Sequence, residues 1–171
     1  MRLFIALDVN SEVEQYLNNI NRQLDKGYAK LKPVAGYHIT LKFLGNTEPE
    51  KVKQALANIS FTPFELITKG LGHFGKRVIW AGVEPKEPVI ELQREIDKEI
   101  FKIGFEREKK FHPHITIARV KKLLNSKGLM ATLKDIKKEE IPLKISSIVL
   151  YQSQLTPQGP IYSVVKRFKV G

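Results

Sequence analysis

The chain has no cysteine among its 171 residues, and this absence removes several kinds of chemistry at once. Without thiols it forms no disulfide, uses no thiol nucleophile and builds no thiolate metal site. It also lacks an apolar run of about 18 residues, the length that a membrane-spanning helix requires. We therefore expect a protein without disulfides or membrane spans, a composition that fits a cytoplasmic location.

The N-terminus lacks the features of a signal peptide. One basic residue, Arg2, precedes a short apolar run, whereas a signal peptide needs a longer run and a small-residue cleavage site. We interpret residues 2–8 instead as a buried first strand.

Acidic residues are in the minority. The sequence has 29 lysines and arginines against 18 aspartates and glutamates, which gives a formal net charge of +11. This balance favours polyanionic partners such as RNA or DNA. A lysine-rich solvated surface explains the same charge equally well, so charge alone leaves both interpretations open.

Histidine is scarce too, yet two of the four histidines occupy the same sequence pattern. Residues 38–41 read His-Ile-Thr-Leu and residues 114–117 read His-Ile-Thr-Ile. Side chains alternate between the two faces of a strand, so histidine and threonine share one face and the apolar pair shares the other. Each tetrad therefore predicts a strand that buries two apolar side chains and presents an imidazole and a hydroxyl to a groove.

Two such strands facing each other carry the groups needed for proton transfer at a phosphodiester. Imidazole titrates near neutrality, so one of His38 and His114 can act as a base while the other acts as an acid. Hydroxyls of Thr40 and Thr116 can donate to phosphate oxygens. A lone histidine in a strand is more often structural and threonine is common in strands, but the repeated context favours a functional role.

Arg119 is a further candidate, because a guanidinium binds phosphate through two parallel hydrogen bonds. Strict alternation places it on the face of Ile115 and Ile117, away from His114. Arg119 reaches the groove only if the strand bends, bulges or ends there. By periodicity alone, an ordinary surface arginine is an equal alternative.

The other histidines and the aromatic residues receive weaker predictions. His112 shares a strand face with His114, but no cysteine or nearby carboxylate completes a metal site, so we expect no metal. His73 lies in a glycine-rich stretch that lacks the strand-then-helix context of a phosphate loop, and we expect it at the surface. Trp80 is predicted in the core. Phe43, Tyr37 and Tyr162 are candidates for stacking on a base, although core packing is the preferred interpretation for Phe43.

Hydrophobic periodicity predicts seven strands and four helices. The predicted strands are residues 2–8, 38–45, 61–69, 77–83, a second tetrad strand from 114, 143–151 and 161–170. The predicted helices run from Ser11 to about Gly27, from Thr47 to Ile59, from Val89 to a C-cap at Gly104, and from Ser126 to Lys137. Capping boxes are predicted at Ser11 with Glu14 and at Thr47 with Glu50. Loops or turns are predicted at 32–36, 70–75 and 156–160.

This order repeats one strand–helix–strand pattern twice, with a tetrad in each copy. It predicts an α+β fold that is bilobal, with two pseudo-symmetric lobes of mainly antiparallel sheet, outer helices and the tetrad strands facing a central groove. No linker or low-complexity tract divides the chain, so we expect one domain over residues 1–171.

With two His-x-Thr-apolar tetrads in a short basic chain, the sequence resembles the 2H phosphoesterase superfamily. Within it, the resemblance is to the RNA 2′,3′-cyclic phosphodiesterases of bacteria and archaea, historically called 2′-5′ RNA ligases. It covers nearly the whole chain: residues 2–6 are similar to the opening strand of that family, and 38–45 and 113–119 to its two signature strands. Residues 74–80 and 153–162 add supporting similarity.

The resemblance implies a groove that holds both histidines and hydrolyses a 2′,3′-cyclic phosphate to a 2′-phosphomonoester without metal or cofactor. It implies that His38 is the proton donor to the leaving 3′ oxygen and that His114 is the acceptor that activates water. Thr40 and Thr116 would hold phosphate oxygens and Arg119 would neutralise added charge. The implied partners are RNA or nucleotide ends with a 2′,3′-cyclic phosphate, and we expect a monomer.

Two alternatives remain. One is reversible, ATP-independent joining of RNA ends through a 2′-5′ linkage in the same groove. The other is a non-catalytic module that binds RNA ends. Simple binding needs only lysines and arginines, so the two intact histidine tetrads favour catalysis.

Overall fold

The structure, a computed structural model, describes residues 1–169, which form nine strands and four helices. In chain order these are β1 (Arg2–Asp8), α1 (Ser11–Leu24), β2 (Ala29–Pro33), β3 (His38–Asn46), α2 (Pro49–Ala57), β4 (Phe64–Phe74), β5 (Val78–Glu84), α3 (Glu87–Phe101), β6 (His114–Leu123), α4 (Ser126–Asp135), β7 (Pro142–Ile145), β8 (Ser147–Thr156) and β9 (Gly159–Lys169). The predicted end of the last strand at Val170 lies outside the described residues.

All nine strands join one antiparallel sheet in the order β7-β4-β5-β6-β3-β1-β8-β9, with β2 paired to β6. A single residue pair, Ile39 opposite Ile115, connects β3 to β6 at the centre. The sheet therefore consists of two lobes, β3-β1-β8-β9 and β6-β5-β4-β7. This confirms the predicted α+β fold with mainly antiparallel lobes.

The helices cover the sheet with the apolar faces that the periodicity predicts. In α1, for example, Val13, Leu17 and Ile20 are fully buried against the aliphatic core that also holds Ile39 and Ile115. Burial of each such side chain stabilises the fold by about 1.5–3 kcal/mol. Within residues 1–169, no helix is both long enough and apolar enough to cross a membrane.

Each tetrad strand contains a β-bulge directly after the threonine. In the first lobe, Ala6 of β1 lies opposite Thr40 while its neighbour Ile5 lies opposite Lys42. Leu41 therefore has no partner in β1. One extra residue in a strand bends it locally and reverses which face the following side chains occupy.

The second lobe repeats this bulge. Trp80 of β5 lies opposite Thr116 while Ile79 lies opposite Ala118, so Ile117 is the unpaired residue. Ile117 and Ala118 are consecutive and both fully buried, which strict alternation does not allow. Arg119 consequently turns to the face that carries the tetrad histidine.

Both predicted capping boxes are wrong. Helix α1 is capped by Asn10, whose side-chain oxygen accepts a hydrogen bond from the Val13 backbone N–H, so Ser11 is already the first helical residue. This helix ends at Leu24 rather than near Gly27. Helix α2 follows Glu48, which makes no side-chain cap, and Pro49 occupies its first turn. The N-cap residues of the two helices, Asn10 and Glu48, are therefore each one position away from the predicted caps, Ser11 and Thr47.

Two loop or turn predictions and one strand prediction also need correction, because each strand extends along the partner strand that the sheet gives it. Residues 32–36 are not wholly a loop, since β2 continues to Pro33 along the edge of β6. Residues 70–75 are not wholly a turn, since β4 continues to Phe74 opposite β5. Residues 143–151 form two strands separated at Ser146, because β7 pairs with β4 of one lobe and β8 with β1 of the other.

Candidate active site

The five site residues that the sequence predicts lie around one groove between the lobes. His38, Thr40, His114, Thr116 and Arg119 all line this groove, whose volume is about 630 Å³. Strands β3 and β6 are antiparallel about the Ile39–Ile115 pair. Each histidine therefore lies level with the threonine of the other tetrad, and the two imidazoles face one shared space.

The His38 imidazole is held within a cluster of aromatic rings. The ring centroids of Tyr151, Tyr162 and Phe4 lie 4.6, 5.5 and 5.7 Å from that of His38. A Cβ atom on Gly36 would lie 3.1 Å from His38 Cε1, tighter than most side-chain contacts, so glycine gives the imidazole its room. The position of this histidine is therefore fixed by packing.

An acidic residue stands directly beside His38 in the sheet. Asp8 of β1 is the cross-strand partner of His38. Its carboxylate accepts a hydrogen bond from the Tyr151 hydroxyl and forms an ion pair with Arg167 at 2.7 Å. Burial lowers the pKa of His38, and the negative charge of Asp8 opposes this by favouring the imidazolium form.

His114 has a defined hydrogen bond that sets its tautomer. Its Nδ1 lies 2.7 Å from the backbone carbonyl oxygen of His112, which can only accept a hydrogen bond. Nδ1 therefore carries the proton in the neutral ring, and Nε2 is left as the proton acceptor. The Phe74 ring stands edge-on to His114 at a centroid distance of 4.9 Å.

The charges beside His114 are opposite in sign to the charge beside His38. Burial lowers the pKa of His114, and the hydrogen bond to the His112 carbonyl acts in the other direction. The His112 imidazole and the Arg119 guanidinium lower this pKa further, because each disfavours a second positive charge nearby.

Arg119 reaches the groove because strand β6 bulges at Ile117, and such a bulge is what alternation requires for this residue to share the face of His114. The equivalent residue after the first bulge is Phe43, and the prediction of Phe43 in the core is wrong. Its side chain is 70% exposed and lines the groove, because the bulge at Leu41 reverses the alternation. The sequence carries no local signal for either bulge, since the register of the partner strand sets it.

Trp80 is only half-buried and does not belong to the core, because its ring packs 5.1 Å from His112 and 5.4 Å from Phe74. His73 is exposed, as predicted. Tyr162 lines the groove.

Tyr37 is not at the groove wall. Its hydroxyl donates to Asn18 at 2.7 Å and accepts from Asn21 at 2.9 Å. His112 lines the groove beside His114. Among residues 1–169, no three histidine or carboxylate side chains are grouped so that they could hold a metal ion.

A buried ion pair that the sequence did not predict supports one wall of the groove. Lys42 and Asp97 are 5% and 2% exposed, and Lys42 Nζ lies 2.6 Å from Asp97 Oδ1. Lys42 also donates to the Glu106 carbonyl oxygen at 2.8 Å. Asp97 Oδ2 accepts from Arg107 Nε at 2.8 Å and from the Glu108 backbone N–H at 3.0 Å.

These bonds fix the segment that leads into the second tetrad. Residues 106–108 are tied to α3 and β3, and the next residues of the segment, Lys110 to His112, line the groove. Burial raises the pKa of the Asp97 carboxyl, but the hydrogen bonds from Lys42, Arg107 and the Glu108 N–H outweigh it and lower this pKa below its usual value. The carboxylate is therefore ionised near neutral pH.

Comparisons with known proteins agree with the fold and identify the family. The family model of the 2′-5′ RNA ligase superfamily matches residues 9–156. An RNA 2′,3′-cyclic phosphodiesterase of Methanocaldococcus jannaschii is 35% identical, over 98% of this chain and 100% of its own length. One from Thermotoga maritima is 36% identical, over 96% and 93%. The crystal structure of Escherichia coli LigT with 3′-AMP has a TM-score of 0.79 at 24% identity, over 99% and 97%. The chain therefore belongs to the 2′-5′ RNA ligase superfamily.

Proposed function

We propose that this protein hydrolyses 2′,3′-cyclic phosphates at RNA or nucleotide ends to 2′-phosphomonoesters, using His38 and His114 as an acid–base pair without a metal ion. The observation that carries the proposal is that two imidazoles face one groove with opposite charges beside them. Relatives that match nearly the whole chain are named RNA 2′,3′-cyclic phosphodiesterases, which supports this substrate class.

The tautomer of His114 suits it to accept a proton. Its free Nε2 takes a proton from a water molecule as the water oxygen forms a bond to phosphorus. The bond between phosphorus and the 3′ oxygen then breaks, and His38 donates its proton to that oxygen. Water supplies one oxygen and two protons in total, so the product is a 2′-phosphomonoester beside a free 3′-hydroxyl.

The neighbouring charges favour this division of roles. An acid must hold its proton until the leaving oxygen needs it, and Asp8 stabilises the imidazolium form of His38. A base must be neutral before it can accept, and Arg119 and His112 disfavour the imidazolium form of His114. Burial lowers the pKa of both histidines, so the neighbouring charges are what distinguishes them: Asp8 opposes the lowering at His38, whereas Arg119 and His112 add to it at His114.

The other groove residues bind the phosphate. The Thr40 and Thr116 hydroxyls can each donate a hydrogen bond to a non-bridging oxygen, and a hydrogen bond to a charged group contributes about 1.5–3 kcal/mol. Arg119 can bind the same phosphate through two parallel N–H donors. These donors stabilise the negative charge that the attacking water adds in the transition state.

The direct test is hydrolysis of adenosine 2′,3′-cyclic phosphate in excess EDTA, with 2′-AMP and 3′-AMP separated by chromatography. We expect 2′-AMP as the product and the same rate with and without EDTA. Formation of 3′-AMP would contradict the assigned leaving oxygen, and a rate abolished by EDTA would contradict the metal-free site. A protein that binds the nucleotide but turns none over would be a binding module instead.

Joining of RNA ends through a 2′-5′ linkage is the second candidate, because the matching family model carries that activity in its description. It is tested in the same reaction by adding a radiolabelled RNA with a free 5′-hydroxyl. A longer product that resists cleavage specific for 3′-5′ linkages would support ligation, and the hydrolysis product alone would exclude it.

A further inference from the structure

Four basic side chains continue from the groove along the paired strands β2 and β6. Lys32 lies opposite Arg119, and Lys30 lies opposite Lys122. We call these four residues the basic ladder. Arg119 belongs to the groove wall, so the first pair starts at the phosphate site. The second pair is two β2 residues further on, at a distance of about 7 Å.

The two pairs share the outer face of the strands. Lys30 and Lys32 are exposed and alternate with Leu31, which packs against the core together with its partner Val120. The register shifts by one residue between Lys30 and Leu31. This shift brings Lys122 to the face that Arg119 occupies, so that all four side chains lie on one surface.

The ladder places like charges directly opposite each other, which destabilises an antiparallel strand pair. No carboxylate relieves the repulsion: within the part of the chain that the structure describes, no ladder residue takes part in an ion pair. The sequence has no acidic residue between Asp25 and Glu48, nor between Glu108 and Asp135. A surface that holds unneutralised like charges beside a phosphate site is suited to a polyanion.

We infer that the basic ladder binds the RNA backbone on the 5′ side of the terminal cyclic phosphate. This inference rests on the proposed function. A 2′,3′-cyclic phosphate ends its strand, so any further nucleotides leave the groove in the 5′ direction only. Arg119 holds the cyclic phosphate itself, so the cations left for the RNA backbone are Lys32 beside it and the Lys30–Lys122 pair, which extend the site to about two further nucleotides. The preferred substrates are then oligoribonucleotides rather than cyclic mononucleotides.

The first test measures binding without catalysis. A fluorescein-labelled six-nucleotide RNA with a 3′-phosphate is titrated at several salt concentrations with wild type, with K30Q/K122Q and with the matched control K51Q/K98Q. The control removes the same charge from exposed positions on α2 and α3. We expect Kd to rise about tenfold at low salt in the ladder variant only, with a salt slope smaller by about 0.7, the value for the one phosphate that the Lys30–Lys122 pair contacts. Equal weakening by both variants would overturn the ladder.

The second test compares two substrates in steady state. For the same RNA ending in a 2′,3′-cyclic phosphate, K30Q/K122Q should raise KM about tenfold and leave kcat unchanged. For adenosine 2′,3′-cyclic phosphate, kcat/KM should stay at the wild-type value, and a comparable loss there would overturn the inference. The melting temperature of the variant should not fall, because the change relieves repulsion. A clear fall would mean that the ladder stabilises the fold instead.

The two tests separate this inference from the proposed function. Weaker RNA binding by the ladder variant together with no hydrolysis by wild type would support the ladder and refute the phosphodiesterase. Normal hydrolysis together with identical RNA binding by all three proteins would refute the ladder alone.

Discussion

The two halves of the groove have the same backbone arrangement. Each tetrad strand bulges after its threonine, and each histidine packs against an aromatic ring from the strand two places along in the sheet. Tyr151 lies 4.6 Å from His38, and Phe74 lies 4.9 Å from His114. These two rings occupy equivalent positions, because each projects from a strand paired with the neighbour of the tetrad strand.

The halves differ in charge rather than in shape. Asp8 is the cross-strand partner of His38, whereas the partner of His114 is Gly82. After the bulges, Arg119 in the second half stands where Phe43 stands in the first. The comparison teaches that a repeated backbone supplies two equivalent imidazoles, and that a few charged residues give them different electrostatic surroundings, which is the basis for the opposite tasks that we propose.

Removing either imidazole should have the largest effect. We expect His38→Ala and His114→Ala each to lower kcat for a cyclic nucleotide about 10²–10⁴-fold, because each removes one proton-transfer group. His73→Ala is the matched control, since His73 is exposed and outside the groove lining. Circular dichroism verifies the fold of all three. Full activity of either groove variant would refute the acid–base pair.

The buried lysine is a further difference between the halves, because Lys42 stands where the second half has Ala118. Lys42→Ala should lower the free energy of unfolding by about 3–5 kcal/mol, since it leaves Asp97 buried without its nearest cation. Chemical denaturation measures the loss. Lys53→Ala, which removes a partly exposed lysine from a surface pair, is the control and should cost about 1 kcal/mol or less.

The Lys42–Asp97 ion pair also predicts how the free energy of unfolding changes with pH. The pKa of Asp97 is lowered in the folded state, so its stabilising contribution is complete above the pKa of the unfolded chain. This contribution is lost as the pH falls through the lower, folded-state pKa. The stability difference between wild type and Asp97→Asn should therefore narrow in acid. A difference that stays constant down to pH 2 would contradict the ion pair.

Arg119 should matter next. Arg119→Ala removes a charged donor to the phosphate, which corresponds to a loss of about 1.5–3 kcal/mol, or roughly 10–150-fold in kcat/KM. It should also raise the pKa of His114, because a neighbouring positive charge disappears, so the acidic limb of the pH–rate profile moves to higher pH. Arg94→Ala, on the exposed face of α3, is the control. An unmoved acidic limb would place Arg119 away from His114.

Substitution of Asp8 should have the smallest effect on activity, and this effect should be confined to one limb of the pH–rate profile. Asp8→Asn removes the negative charge that favours the imidazolium of His38, so the pKa of His38 falls further. In the proposed mechanism the active form of His38 is protonated, so the basic limb of the kcat/KM profile should move to lower pH. The acidic limb, which reports His114, should stay in place. Movement of the acidic limb alone would reverse the assigned roles.

Local pattern predicts the four helices and most of the strands, and contacts distant in sequence decide the rest, including the unpredicted strand β2 on the edge of β6. Alternation in the tetrads identified both groove strands and the four residues His38, Thr40, His114 and Thr116. The bulges that expose Phe43 and Arg119 depend on the register against β1 and β5, which no local pattern encodes. For Arg119, the family resemblance predicts a place in the groove, whereas strict alternation predicts the opposite face. The bulge at Ile117 puts its side chain at the groove. The Lys42–Asp97 pair joins residues 55 positions apart and has no signal in the sequence.

The most direct test of the proposed roles, His38 as the acid and His114 as the base, uses a cyclic nucleotide in which sulfur replaces the 3′ bridging oxygen. A thiolate leaves without being protonated first, because a thiol has a pKa near 8.5. Hydrolysis of this substrate by His38→Ala should therefore recover to within about tenfold of wild type, while His114→Ala should remain inactive. Recovery in His114→Ala instead, or in neither variant, would contradict His38 as the acid.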